Sequence, residues 1–235
     1  MYDYGLDWLD QEQLFKVTKK WFGREPRMNS MVPPDPFALV VHAAKAGSSI
    51  ASASEFEIVR KINKTISNNV GNWHQAVLGL GPYFETIPHS GVIDLRSVGD
   101  YRDPLFGKEV IVEVKNRFNT IKAADEKLLW DKLENLARSQ GKVAYLFQIV
   151  PKDRKRFDQP WKVSGRSSRV YVRHCDGATA YAMVFKRENA LHEIYEAFPA
   201  VLNEVLEAEI RFEMGDLDDL YRMSFVTDSE SHKYN

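Results

Sequence analysis

The sequence predicts an α/β (α+β) protein, a β-sheet flanked by helices, and three observations carry that prediction. Val143 to Val150 is a near-continuous apolar run closed by Pro151, which suits a central strand covered on both faces. Val110 to Lys115 alternates, with Val110, Val112 and Val114 on one face and Ile111, Glu113 and Lys115 on the other. Segments before, between and after these runs repeat apolar residues at helical spacing.

At 235 residues the chain is long enough for one domain with a full core. A helical part (about 1–80), a core (about 85–185) and C-terminal helices (about 188–223) are expected within it. The single cysteine, Cys175, excludes an internal disulfide and suits a reducing cytosol. No apolar run approaches membrane-spanning length, and the opening residues do not read as a signal peptide. The net charge of −1 hides an asymmetry. Residues 151–173 carry eight basic side chains (Lys152, Arg154, Lys155, Arg156, Lys162, Arg166, Arg169 and Arg173) against Asp153 and Asp158. A localised polyanion footprint and an ordinary solvated loop both account for this stretch.

In chain order, residues 6–22 predict an amphipathic helix through Leu6, Leu9, Leu14, Val17 and Trp21, ended by Gly23. Pro26, Pro33, Pro34 and Pro36 mark a connector, and Asp35-Pro36 opens a short helix to Ala46. Ser54-x-x-Glu57 reads as a capping box for a third helix that turns Phe56, Val59, Ile62 and Ile66 inward. Asn72 then caps a short helix carrying His74 and Gln75, broken by Gly79 and Gly81-Pro82. A first strand is expected from about Ser90 through Gly91-Val92-Ile93-Asp94, and the Glu109–Lys115 strand follows. Asn119 or Thr120 is expected to cap a helix running to about Gln140. Arg169–His174 and Ala178–Phe185 flank Asp176-Gly177 as a hairpin. Two helices separated by Pro199 follow, Asp216, Asp218 and Asp219 are solvated, and the last ten residues fray.

The chemistry concentrates at Asp94 and Glu113-Val114-Lys115. Two carboxylates side by side suit a hard cation such as Mg²⁺, with oxygens from backbone, water and phosphate completing its shell. A neighbouring lysine can hold a phosphate or an attacking water. A surface strand with an ordinary Glu/Lys pair gives the same triplet. The Asn116-Arg117-Phe118-Asn119-Thr120-Ile121-Lys122 corner sets amides, a basic group and a helix N-terminus just past the strand. Those are groups that suit phosphates or base edges, and equally groups that cap a helix in solvent.

Asp94, eighteen intervening residues and Glu113-x-Lys115 resemble the PD-(D/E)XK nuclease motif, with Ile93 where proline usually precedes the aspartate. Taken with Gly71-Asn-Trp-His-Gln-x-x-Leu-Gly, Gly91-Val-Ile-Asp and Glu113-Val-Lys-Asn-Arg-Phe-Asn-Thr-Ile-Lys…Asp131-Lys-Leu, the chain resembles type II restriction endonucleases that cut GGNCC-type palindromes. The likeness is best from about Asn69 to Leu133. It implies a restriction-endonuclease-like core with a mixed central sheet, and a Mg²⁺-dependent phosphodiesterase acting on double-stranded DNA as a homodimer. It also implies a cognate DNA methyltransferase as genetic partner and a bacterial or archaeal cytoplasm. Within the family pattern, Asp94, Glu113 and the Val114 carbonyl hold the metal and Lys115 completes the catalytic group. His74, Gln75, Asn116, Arg117, Asn119, Thr120 and Lys122 fall near the DNA. Glu55 or Glu57 assists the metal or merely caps a helix. A repair or junction nuclease, a non-catalytic DNA-binding protein and an interaction domain are the competing readings.

Overall fold

The computed structural model describes residues 2–24, 33–87, 91 and 93–225. Pro26, Ser90, Val92 and the final ten residues, to which the sequence assigns a connector, a strand start and a frayed end, lie outside the described residues.

Helix α1 (Gln11–Phe22) starts later than its periodicity predicts, because the Asp10 carboxylate accepts from the Gln13 N–H at 3.0 Å and fixes the first turn there. Leu6 and Leu9 are buried ahead of it. Helix α2 (Pro36–Ala46) opens on Asp35 and proline as expected. Helix α3 (Ile50–Leu78) is one continuous helix where two are predicted. Ser49 caps it, and Ser54 lies inside, its hydroxyl donating back to the Ile50 carbonyl at 2.9 Å. Gly71 and Asn72 do not break it, since burial of Trp73, Val77 and Leu78 outweighs their weak helix propensity. Trp73 Nε1 donates to Thr18 Oγ1 at 3.0 Å and locks α3 to α1. Phe56, Val59 and Ile66 stay exposed, contrary to the inward orientation that their spacing predicts.

Strands β1 (Phe84–Thr86), β2 (Leu95–Ser97), β3 (Val110–Arg117), β4 (Val143–Val150), β5 (Asp158–Pro160) and β6 (Val172–Asp176) form one sheet in the order β1-β2-β3-β4-β6-β5. The sheet is mixed: β3, β4 and β6 run parallel, and β1, β2 and β5 are antiparallel to their neighbours. The first strand expected at Gly91–Asp94 forms just beyond Asp94 instead, as β2. A 3₁₀ turn (Phe118–Thr120) and α4 (Ala123–Gln140) connect β3 to β4. The predicted capping by Asn119 or Thr120 is not made: Thr120 Oγ1 donates to the Arg117 carbonyl at 2.7 Å, and Lys122 takes the cap position without a side-chain bond.

The core lies on both faces of the sheet. Val110, Val112, Val114, Tyr145, Phe147 and Ile149 pack with residues of α1, α3, α5 (Gly177–Phe185) and α6 (Ala190–Leu206). Ile111, Ala144, Leu146 and Val172 pack against Trp130, Leu133 and Ala137 of α4 on the other face. The alternation read from β3 therefore holds.

The predicted hairpin at Asp176-Gly177 is a strand-to-helix junction. Asp176 is buried, and Oδ2 accepts from the Ala178 and Thr179 N–H groups at 2.9 and 3.3 Å, which starts α5. Oδ1 accepts from Phe157 N–H at 2.8 Å and ties the basic loop to the same point. Helix α6 runs through Pro199, because Leu191, Ile194 and Ala197 before it and Val201 and Val205 after it bury against one core. Helix α7 (Met214–Ser224) carries Asp216, Asp218 and Asp219 in its N-terminal half.

Gly177 is constrained by space. A Cβ there would sit 2.3 Å from the Ile149 carbonyl oxygen, a backbone atom of the central strand. Gly177→Ala is expected to destabilise the protein by about 1–3 kcal/mol through overpacking. Chemical denaturation monitored by far-ultraviolet circular dichroism measures it, and an unchanged midpoint would contradict the junction described.

Candidate active site

The site forms where β2 parts from β3. The Asp94 N–H donates to the Val112 carbonyl at 2.8 Å, one residue before the first register pair of β2 with β3, Leu95↔Val112. The next inward-facing donor on β3, the Val114 N–H, is taken by Asp94 Oδ2 at 2.7 Å. This side-chain rung pins the Asp94 carboxylate beside Glu113. The register Leu95↔Val112 and the alternation of β3 aim Glu113 and Lys115 to the α4 face, where Lys115 Nζ pairs with Glu113 Oε1.

Burial raises the carboxyl pKa of both acids, and Glu113 is pushed up to about 7, with the nearby Asp94 charge as the second cause. The two carboxyls share a hydrogen bond, and Lys115 offsets only part of the cost of charging them. Two crowded carboxyls that resist ionising are a donor set that a hard divalent cation would relieve. The Val114 carbonyl points to the same edge as the Val112 carbonyl, beyond the end of β2, and can complete such a set.

Glu113 and Lys115 open into a cleft of about 320 Å³ whose far wall is α4, through Asp125, Leu128, Leu129 and Lys132. Asp125 and Lys132 are functional candidates that reading β3 alone does not reveal. Their signal is the 125, 128/129, 132 spacing, one face of the helix that follows the corner. Gln148 on β4 stands in register beside Lys115 and is partly exposed, as is Val150 at the end of an otherwise buried strand.

The other residues singled out from the sequence divide. Thr120 lines the cleft with Glu113 and Lys115, and Asn119 and Lys122 stay exposed beside it. Asn116 points to the opposite face. It packs on Gly71 of α3, and with Arg117 it edges an apolar pocket of about 370 Å³ walled by Trp73, Ile194, Phe198 and Tyr221. His74 lines that same pocket. It is buried, its Nδ1 lies 2.7 Å from the Tyr181 hydroxyl, and desolvation drives its pKa down to about 3. It is a neutral packing residue on the Val112 side of the sheet, away from Glu113. Gln75 follows it, half-buried on the last turns of α3. Glu55 is exposed, and Glu57 pairs with Arg60 at 2.6 Å on α3, so neither joins the carboxyl pair.

The basic segment also divides. Arg173 is buried and pairs with Asp158 at 2.7 Å, Arg166 grips Asp131 bidentately through Nε and Nη2, and Arg156 pairs with Glu188. Lys152, Lys155, Lys162 and Arg169 remain exposed.

Comparison with known proteins gives a consistent picture. The family model described as Eco47II restriction endonuclease matches residues 11–207. The type II restriction enzyme Eco47II of Escherichia coli is 28% identical over 227 residues, covering 87% of this chain and 90% of that enzyme. The type II restriction enzyme Sau96I of Staphylococcus aureus is 26% identical over 166 residues, covering 65% of this chain and 59% of that enzyme.

The raised carboxyl pKa values make the metal-free protein pH-sensitive. Folded Glu113 holds its proton up to about 7, whereas an unfolded glutamate releases it near 4.5. Through that window the folded state binds more protons, so folding stability falls as pH rises. Metal-free Glu113→Gln is therefore expected to melt above wild type at pH 8, by on the order of 1 kcal/mol. The gain should close toward pH 4.5, where the wild-type side chain is protonated in the folded state. Thermal melts across that range check it, and a pH-independent difference would contradict the assigned cause.

Proposed function

As a member of the Eco47II restriction endonuclease family, the chain is a type II site-specific deoxyribonuclease with double-stranded DNA as substrate, and we propose that Asp94, Glu113 and Lys115 carry its chemistry. The observation that carries this reading is the Asp94 side-chain rung to Val114, which sets two carboxyls and an ammonium together at the end of β3. We read the sheet and its flanking helices as a PD-(D/E)XK core within one domain. The family resemblance further supports Mg²⁺ as cofactor, a GGNCC-like site, a homodimer and a cognate methyltransferase.

In this reading Asp94, Glu113 and the Val114 carbonyl hold Mg²⁺, which when bound supplies positive charge at the phosphate and a more acidic water. Asp94 is oriented by the Val114 N–H before any ligand arrives, so its carboxylate is preorganised. Lys115 neutralises charge that develops on the phosphate and orients the attacking water, from a position where Glu113 holds its ammonium in the cleft. The Leu128 and Leu129 wall limits how much solvent reaches these groups.

Asp94→Ala, Glu113→Ala and Lys115→Ala are each expected to lower metal-dependent cleavage of duplex DNA by roughly 10²–10³-fold or more. Melting curves run beside the cleavage assays separate chemistry from folding. Near-normal cutting by any folded variant of the three would remove that residue from the site.

Sequence readout falls to the exposed side of the corner, Asn119 and Lys122, with Thr120 at the cleft edge. Each is placed within seven residues of Lys115. Asn119→Ala and Lys122→Ala are expected to narrow the affinity gap between cognate and single-mismatch duplexes by about ten- to a hundredfold. Asn116→Ala, whose amide reaches toward the Ser67 carbonyl, is expected to leave that gap intact. Binding in Ca²⁺ at one salt concentration measures both. An equal loss on every duplex would assign the corner to phosphate contact alone.

A further inference from the structure

Asp131-Lys132-Leu133 closes the last sequence block of the family resemblance, and the catalytic group of Asp94, Glu113 and Lys115 uses none of it. Helix α4 sends these three side chains in three directions, since successive residues of a helix are about 100° apart. Leu133 is fully buried and packs with Ile111 and Leu146 against the sheet. Asp131 accepts from Arg166 Nε and Nη2 at 2.5 and 2.6 Å, which ties the basic loop to the helix. Lys127, one turn before Asp131, meets the same loop: a Cβ on Gly165 would lie 3.7 Å from its Nζ. With the core and the loop served by its neighbours, Lys132 faces the cleft, which it lines with Glu113 and Lys115.

The ammonium of Lys132 is exposed and, among the described residues, has no ion-pair partner. The carboxylate on the same wall, Asp125, is seven residues away, about 10 Å along the axis. It stands in the first turn of α4, where it complements the helix dipole. Leu128 and Leu129 between them offer an incoming group no hydrogen bonds. Across the cleft, Glu113 is already paired with Lys115. The α4 wall is therefore polarised, negative toward the corner and positive at Lys132, and an anion that enters finds its counter-charge at Lys132.

Duplex DNA brings more than one anion to such a cleft. Each strand carries a phosphate per about 3.4 Å of axis, so the scissile group has a neighbour close on either side. Lys115 is the ammonium held against the carboxyl pair, where the reacting phosphate belongs. Lys132 stands on the opposite wall, at the place of a neighbour. A lysine suits that task, since it meets a phosphate oxygen as a compact point charge.

We propose that Lys132 binds a non-bridging oxygen of a phosphate adjacent to the scissile one and so seats the DNA strand in the cleft, an assignment that rests on Asp94, Glu113 and Lys115 being the cleavage site. The contact is the same before and during the reaction. It therefore adds affinity without adding to the rate of the bound complex.

Two measurements on the full chain test this together: duplex binding in Ca²⁺ across a salt series, and single-turnover cleavage in Mg²⁺ at saturating enzyme. Lys132→Ala is expected to bind cognate and mismatched duplexes alike about tenfold more weakly. Its slope of log affinity against log salt should flatten by about 0.9, and the bound complex should be cut at the wild-type rate. Lys132→Arg, which keeps the charge, should recover both affinity and slope. Lys127→Ala removes the same charge from the neighbouring face of α4 and should keep the wild-type slope. An unchanged affinity and slope in Lys132→Ala would make this an ordinary solvated lysine. An equal loss in Lys127→Ala would reduce the effect to the net charge of the helix. A slower bound complex with unchanged affinity would put Lys132 at the reacting phosphate, which also overturns the assignment. Failure here is distinct from failure of the site itself. Normal cutting by Asp94→Ala would overturn both, whereas an inactive Asp94→Ala beside an indifferent Lys132→Ala removes Lys132 alone.

Discussion

The Asp94 carboxylate does the work of a backbone carbonyl. Just ahead of β2, the Asp94 N–H donates to the Val112 carbonyl. The Val114 N–H, on the same edge of β3, is satisfied by Asp94 Oδ2 at 2.7 Å. An unpaired N–H in the middle of a sheet costs about 1–3 kcal/mol, so this substitution holds the aspartate firmly in one place. It also sets the aspartate against Glu113, whose position follows from strand alternation. The proximity of the two acids is thus a product of where a ladder ends.

That proximity is unfavourable for an empty protein. Neither carboxyl ionises as freely as it would in water, and one ammonium between them compensates only in part. The surrounding structure makes the arrangement tolerable. Apolar side chains cover both faces of β3 and β4, with Val112, Val114, Tyr145 and Phe147 on one and Ile111, Ala144 and Leu146 on the other. Sites of catalysis are commonly places where a stable scaffold carries such a strained group of charges. In this chain the proposed cation is what would relieve it.

Much of this was legible in the sequence because it depends on local periodicity. The alternation of Val110–Lys115 and the apolar run Val143–Val150 reproduce β3 and β4, and Asp94, Glu113 and Lys115 come together as their spacing implies. What was not legible depends on contacts distant in sequence. Asp176-Gly177 has the composition of a hairpin turn. It begins a helix because Asp176 finds three N–H groups and Gly177 must pass the Ile149 carbonyl. Asn72 resembles a helix cap, yet burial of the residues that follow carries α3 through it. His74 belongs to one of the sequence blocks that carry the resemblance, but its partner, Tyr181, lies over a hundred residues away, and their contact makes it a core residue. Phe56, Val59 and Ile66 have a buried residue's spacing and an exposed residue's surroundings, a mismatch visible only once the fold is known.

The central claim is that Asp94 and Glu113 share protons that a divalent cation displaces. Calorimetric titration of Mg²⁺ in two buffers of different ionisation enthalpy, at pH 6.5 and 8.5, tests it most directly. The account predicts that binding at pH 6.5 releases a substantial fraction of a proton per cation. That release should fade at pH 8.5 and be lost, together with binding, in Asp94→Asn. Binding that releases no proton at either pH, or that survives unchanged in Asp94→Asn, would contradict it.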